Sequence, residues 1–251
     1  MRLIILSDIH ANLEAIIEVF AHVNRTFQGG WRAFDRIISL GDNLGYGPDP
    51  NSVMEIVEER NILSVLGNHE MAVISPSFLA TFNPVAQKAA VHTEENLLPR
   101  FKRLIKGWPQ SMVVEDLLFV HGVPPDSPFV YLFQLSDVIL KRKMQAMDQW
   151  ICFVGHTHEL GLIILDKNGT LTHQDLNKGE ILLDRQKKYI VNAGSVGQPR
   201  DENPWAKALL FDTETRRLEV LFVPYDYHTT AMKIRKTAIP EVYADKLLKR
   251  S

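Results

Sequence analysis

Residues 62–70 read Ile-Leu-Ser-Val-Leu-Gly-Asn-His-Glu, a largely apolar run that ends in an amide, an imidazole and a carboxylate. Such a run fits a strand buried on both faces. The polar residues behind it fit either a turn that caps the next segment or a site for chemistry. The flanking sequence bears on the choice, because the same arrangement recurs. Leu3–Leu6 is another apolar run, followed by Ser7-Asp8-Ile9-His10 and then by Leu13, Ile16, Ile17, Phe20 and Val23 at helical spacing behind Asn12, a good N-cap. Ile37–Leu40 is a third run and is followed by Gly41-Asp42-Asn43, after which Val53, Ile56 and Val57 mark a helix opening at Pro50-Asn51. The order βαβαβ predicts parallel strands covered by helices.

Two further apolar runs extend the pattern, Leu117–Val120 before His121-Gly122 and Ile151–Val154 before Gly155-His156-Thr157-His158. A loop with prolines at 124–128 and an amphipathic stretch over 135–150 separate them. Residues 76–108 are helical in character and could form a cap beside the site. After Gly161 the texture changes to hairpins: 162–166 with 170–172 around Lys167-Asn168-Gly169, and 208–212 with 218–223. The tail over 228–251 has helical spacing and strong charge, and reads as a surface helix on the outside. With no repeat, low-complexity linker or composition break, residues 1–251 read as one two-sheet α/β domain, a parallel half followed by an antiparallel half.

The bulk numbers exclude several classes. Hydrophobic residues make up 45% and charged residues 23%, which is ordinary for a soluble globular chain. With 28 basic and 30 acidic residues the net charge is −2, so no global positive field gathers long nucleic acid. The N-terminal apolar stretch is too short for a signal segment and no window approaches a membrane span, so a cytoplasmic protein with no membrane partner is expected. Cys152, the single cysteine, sits inside an apolar run and reads as a small buried hydrophobe.

All five runs end in metal-ligand or acid/base residues, and five of the nine histidines lie in these clusters. Ligands of open α/β sheets bind beyond the carboxyl ends of the strands, so the clusters should converge on one rim. In extended chain, residues i and i+2 point to the same side, which pairs Asp8 with His10 and His156 with His158. Glycines at 41, 67, 122 and 155 would let the backbone turn sharply. Taken singly, each cluster has a bland reading as a cap, a turn or a hydrogen-bonded core histidine. Taken together they do not, because unpaired buried charges cost several kcal/mol each. Two Asp, one Asn and four His exceed one tetrahedral zinc and suit two metals sharing a carboxylate. A helical zinc-protease motif, a phosphate loop, a dinucleotide fingerprint and a serine nucleophile elbow are all absent from the sequence.

Through Asp8-x-His10, Gly41-Asp42, Gly67-Asn68-His69-Glu70, His121 and Gly155-His156-x-His158, in this order over about residues 1–200, the chain resembles the calcineurin-like metallophosphoesterases. Residues 192–200, Asn-Ala-Gly-Ser-Val-Gly-Gln-Pro-Arg, look like the small bacterial and archaeal phosphodiesterase-like branch. The resemblance implies a four-layer αββα fold, a two-sheet β-sandwich of mixed strands flanked by helices, with two divalent ions (manganese, iron, zinc, nickel or cobalt). Asp8, His10 and His158 would hold the first ion, Asn68, His121 and His156 the second, and Asp42 would bridge them. His69 would be the catalytic residue, acting as general acid or transition-state stabiliser beside a hydroxide held between the ions. Protein-phosphatase members carry an Asp three residues after the bridging Asp to orient that histidine. Here the position is Gly45, leaving Glu70, Asn43 or a backbone carbonyl to orient His69 and disfavouring a phosphoprotein substrate.

Arg200, His92 and Asn43 are the candidate substrate contacts, with Arg200 equally readable as a surface ion pair with Asp201 or Glu202, and His92 as facing water. Tyr46 could stack a ring, or pack on its own turn. The expected activity is hydrolysis of a small phosphodiester, with a nucleotide as one form. A phosphomonoesterase, a protein phosphatase or a non-catalytic binding scaffold of the same fold are the alternatives. A homo-oligomer is compatible with the sequence.

Overall fold

The computed structural model describes residues 1–248. Twelve strands are described: β1 Arg2–Leu6, β2 Arg36–Ser39, β3 Leu63–Ser64, β4 Ser111–Val114, β5 Leu117–Val120, β6 Ile151–Val154, β7 Leu160–Leu165, β8 Leu171–Gln174, β9 Gly179–Leu182, β10 Lys188–Ala193, β11 Ala206–Asp212 and β12 Arg217–Val223. The helices are α1 Leu13–Thr26, α2 Pro50–Glu59, α3 Asn68–Ile74, α4 Pro76–Leu79, α5 Pro84–Asn96, α6 Pro99–Lys106, α7 Asp137–Ala146, α8 Tyr227–Ile234 and α9 Val242–Leu248.

The strands form two six-stranded sheets, ordered β3-β2-β1-β11-β12-β9 and β4-β5-β6-β10-β7-β8. β1, β2 and β3 are parallel, as the βαβαβ pattern predicts, and β11 joins them antiparallel to β1. In the second sheet β5, β6 and β10 are parallel, β4 is antiparallel to β5, β7 to β10, and β8 to β7. Both sheets are therefore mixed, as the resemblance implies; the hairpins expected after Gly161 are β7–β8 and β11–β12, while β10 in that half pairs parallel with β6. The late hairpin β11–β12 completes the first sheet, because an exposed edge of β1 would leave a row of backbone groups unpaired.

Side chains alternate along each buried strand. Leu3 and Ile5 point between the sheets with Phe119, Phe153, Val191, Leu209 and Phe211, while Ile4 and Leu6 face out under α1. Val120, Cys152, Val154 and Ile190 face the other way under α7. The result is a sandwich with helices on both outer faces. It also explains why the strands read as unbroken apolar runs rather than alternating ones.

Three expectations are adjusted. The run 62–66 gives a strand of only two residues, since Leu66 leaves the ladder and its amide donates to the Pro109 carbonyl instead. β4, β9 and β10 are not anticipated from the apolar runs. β9 is largely exposed, and β10, a central strand, hides its Tyr-Ile-Val run behind Lys187 and Lys188. The tail is two helices packed inward, with Ala231, Ile234, Tyr243, Ala244 and Leu247 buried against Ala89 of α5, rather than one helix on the outside. Its last three residues lie outside the described ones.

Phe119 and Phe153 stack between the sheets with ring centroids 5.3 Å apart, and both are fully buried. Phe153→Ala should therefore lower the unfolding free energy by about 3–5 kcal/mol in urea titrations.

Candidate metal centre

The carboxyl ends of β1, β2, β3, β5 and β6 meet on one rim. Backbone hydrogen bonds tie the ends together: the amides of Asp8, His10 and Ala11 donate to the carbonyls of Gly41, Asp42 and Asn43, and Gly155 donates to His121. The first sheet is joined to the second where the His156 amide donates to Asp8 Oδ2 at 3.0 Å. A Cβ at Gly155 would lie 1.8 Å from Ser7 Oγ, so only glycine permits this approach.

The side chains come together differently from the extended-chain expectation. Asp8, His10, Asp42, His156 and His158 all have φ between 49° and 68°, the left-handed region that non-glycine residues rarely adopt. Asp8 with His10, and His156 with His158, converge through left-handed turns rather than through strand alternation. Backbone strain of this kind, held in place by the surrounding hydrogen bonds, gathers at functional sites.

Three groups of buried side chains have ligand atoms close enough to hold an ion: Asp8, His10 and His158; Asp42, His121 and His156; and His10, Asp42 and His69. Asn68 adjoins the second group, its Oδ1 3.2 Å from His121 Nε2. Asp42 Oδ2 lies 3.2 Å from His121 Nε2 and 3.8 Å from His10 Nε2, between the groups.

The four histidines of the first two groups have fixed tautomers. Nδ1 of His10, His121 and His158 donates to the carbonyls of Leu44, Leu40 and Gln198 at 2.9, 2.8 and 2.6 Å, and His156 Nε2 donates to the Phe129 carbonyl at 3.1 Å. Their other nitrogens face one another, 3.0 Å apart for His10 and His158 and 3.1 Å for His121 and His156. Asp8 Oδ1 is buried with no hydrogen bond among the described residues. Facing imidazole lone pairs beside an orphaned carboxylate oxygen are unfavourable alone and are the donor set a divalent ion takes. Burial holds His10 well below the usual imidazole range and His156 down at about 3, so both stay neutral. Burial would lower His121 too, but the Asp42 carboxylate overrides it and raises it to about 9. Binding an ion there displaces a proton. The residues fit the implied ions.

His69 is the second residue of α3, and its amide donates to Asp42 Oδ1 at 2.8 Å. Neither of the two side chains expected to orient its ring does so. The Glu70 carboxylate is fully buried and accepts from the amides of Asp42, Leu44 and Gly67 at 2.7, 3.1 and 2.9 Å. It is a brace between two ligand loops, and burial followed by the nearby Asp42 charge lifts it to about 7. Asn43 is buried between Ser39 and Ser64, bonded to both hydroxyls, so it cannot reach a substrate either. No carbonyl takes the orienting role, since His69 Nδ1 is buried with no partner among the described residues. Rings hold the imidazole instead: Tyr46 at 4.4 Å and Phe82 at 5.0 Å, both edge-on. Gly45, at φ +110°, fits against Nδ1, where a Cβ would lie only 2.4 Å away, so an Asp there would need the loop rebuilt.

Of the other candidates, Arg200 lies at the rim. Its amide donates to the His158 carbonyl at 3.1 Å, and its guanidinium charge acts on the Tyr131 hydroxyl. His92 is half-buried on α5 with Nδ1 3.3 Å from the Asn96 side-chain amide, and among the described residues no hydrogen bond or ring contact joins it to the ligand groups. Tyr46 packs beyond its own turn, on His10 and on Tyr243 of α9. Tyr131, stacked on His156 at 3.8 Å, was not singled out by the sequence, because nothing in the apolar run 128–133 says that it folds over a ligand histidine.

These features are those of a metallophosphoesterase. The sequence model described as the calcineurin-like phosphoesterase superfamily domain matches residues 1–216, and the chain belongs to that superfamily. It is 31% identical over 249 residues to the uncharacterized protein MJ0912 of Methanocaldococcus jannaschii, covering 97% of this chain and 96% of that one. The crystal structure of a metallophosphoesterase from Sphaerobacter thermophilus is similar over 100% of both chains, with 32% identity and a TM-score of 0.83. That of the hypothetical protein PH1004 from Pyrococcus horikoshii OT3 shares the fold at 16% identity and a TM-score of 0.78, over 98% and 97% of the two chains.

Glu70→Gln replaces one of two acceptor oxygens by an amide facing backbone N–H groups. It should lower the unfolding free energy of the metal-free protein by about 1–3 kcal/mol, measured by chemical denaturation.

Proposed function

We propose that the protein is a two-metal phosphodiesterase acting on a small phosphodiester. The observation that carries this reading is the set of four imidazoles, each fixed by a backbone carbonyl and each turned toward its neighbours around Asp8 and Asp42. Asp8, His10 and His158 would hold one ion, Asn68, His121 and His156 the other, with Asp42 shared. Ions in such a pair supply Lewis acidity at phosphorus and lower the pKa of water toward neutrality. Manganese, iron, zinc, nickel and cobalt all match the oxygen and nitrogen donors.

The chain's own residues do the rest. Arg200 brings the positive charge that binds the phosphoryl oxygens. His69 needs no acceptor at Nδ1 if its proton sits on Nε2, because a buried Nδ1–H without a partner would cost about 1–3 kcal/mol. It would therefore offer Nε2–H to the departing oxygen, while Tyr46 and Phe82 keep the ring from turning. Gly45 disfavours the protein-phosphatase alternative, since the carboxylate which orients the histidine there has no room here. A small substrate matches the slightly negative net charge.

In a manganese-supplemented assay the protein should turn over bis(4-nitrophenyl) phosphate with higher kcat/KM than 4-nitrophenyl phosphate. Asp42→Asn should lose about a hundredfold or more of that activity. A preference for the monoester would replace this reading with a phosphomonoesterase, and no metal-dependent turnover of any phosphoester would leave a binding scaffold. Gly45→Ala, which presses a methyl group onto His69, should lower kcat about tenfold or more in the same assay without changing metal content.

A further inference from the structure

The loop between β5 and α7 carries features that the reaction itself does not require. The Tyr131 ring lies flat on His156, 3.8 Å away and tilted by 17°, and its other ring neighbour is Phe133 at 4.9 Å. Phe133 is 72% exposed. Phe129, whose carbonyl fixes His156, is also exposed and stacks on Phe78 at 4.6 Å, and Phe78 meets Phe82 beside His69. Two aromatic groups thus flank the metal centre, Tyr131 with Phe133 on His156, and Phe129 with Phe78 and Phe82 toward His69. Isolated exposed phenyl rings need no explanation, but aromatic groups that flank a buried polar site mark a ligand surface.

Charge narrows the ligand. Arg200 is held at the rim where its amide donates to the His158 carbonyl at 3.1 Å, and its charge reaches the hydroxyls of Tyr131, Tyr46 and Tyr243. An arginine is always charged and a phenol is neutral at pH 7, so the rim offers one fixed positive charge beside hydroxyl donors. A phosphodiester carries one negative charge, whereas a monoester at neutral pH approaches two.

We propose that Tyr131 is a specificity-determining residue which, with Arg200, clamps a singly charged phosphodiester whose flat aromatic group, a nucleobase or aryl ring, stacks on Phe129 and Phe133. This rests on the phosphodiesterase reading and names its substrate class. Stacking on an aromatic side chain commonly strengthens binding tenfold or more.

The test uses the metal-loaded full-length protein and three substrates with one leaving group: bis(4-nitrophenyl) phosphate, methyl 4-nitrophenyl phosphate and 4-nitrophenyl phosphate. The wild type should favour the bis-aryl over the methyl diester by about tenfold in kcat/KM, chiefly through KM. Phe129→Leu combined with Phe133→Leu should bring the two diesters within about twofold of each other. Tyr131→Phe keeps the ring on His156 and removes the hydroxyl. It should lower the diester-to-monoester ratio of kcat/KM about tenfold with metal content unchanged, which a merely structural role would not do. Absence of diester turnover by the wild type overturns the phosphodiesterase reading and this inference together. Diester turnover with equal wild-type use of the two diesters, or a ratio untouched by Tyr131→Phe, overturns this inference alone. The wild-type comparison decides even if a variant fails to fold.

Discussion

Four imidazoles each give one nitrogen to a backbone carbonyl, and the rest of the site depends on that constraint. It fixes which nitrogen of each ring is turned into one buried space, where an ion can replace the proton that His121 carries. The carbonyls belong to loops held by other bonds. The Glu70 carboxylate binds the amides of Asp42, Leu44 and Gly67, and through Leu44 it also steadies the carbonyl that fixes His10. A glutamate that looks like half of an acid/base pair is thus a structural anion at the start of α3, in the position where a carboxylate suits free helix amides.

The sandwich makes this possible by bringing strand ends from two sheets to one rim. Val196 donates to the Ser7 carbonyl and Gly197 to the Asp8 carbonyl, so the segment after β10 closes the site from the second sheet. The C-terminal helices reach the same place. Thr230 and Lys233 of α8 engage Asn12, Glu14 and Asp49, and Tyr243 of α9 stacks on Tyr46 at 4.2 Å. Tyr46 in turn touches His10 and His69. The tail that reads as an outer helix is part of the wall behind the imidazole proposed to act on the leaving group.

Much of this architecture was legible in the sequence because its signals are local. Buried parallel strands appear as apolar runs, and Asp8, His10, Asp42, Asn68, His69, His121, His156 and His158 follow those runs directly. What stayed hidden depends on distant partners. β10 becomes a strand by pairing with β6 and β7, and Glu70 and Asn43 are taken up by amides and hydroxyls that only the folded chain brings near. The left-handed turns at Asp8, His10, His156 and His158 run against residue preference and are imposed by bonds between loops. Tyr131 gains its place only because the loop after β5 folds over His156.

The buried space between the strand ends of the two sheets should hold a pair of ions. Native mass spectrometry of the protein, stripped with chelator and reloaded with manganese, measures that directly. Two ions per chain are predicted, with the doubly loaded form reduced in Asp42→Asn. A chain that binds none, or saturates at one, would contradict it.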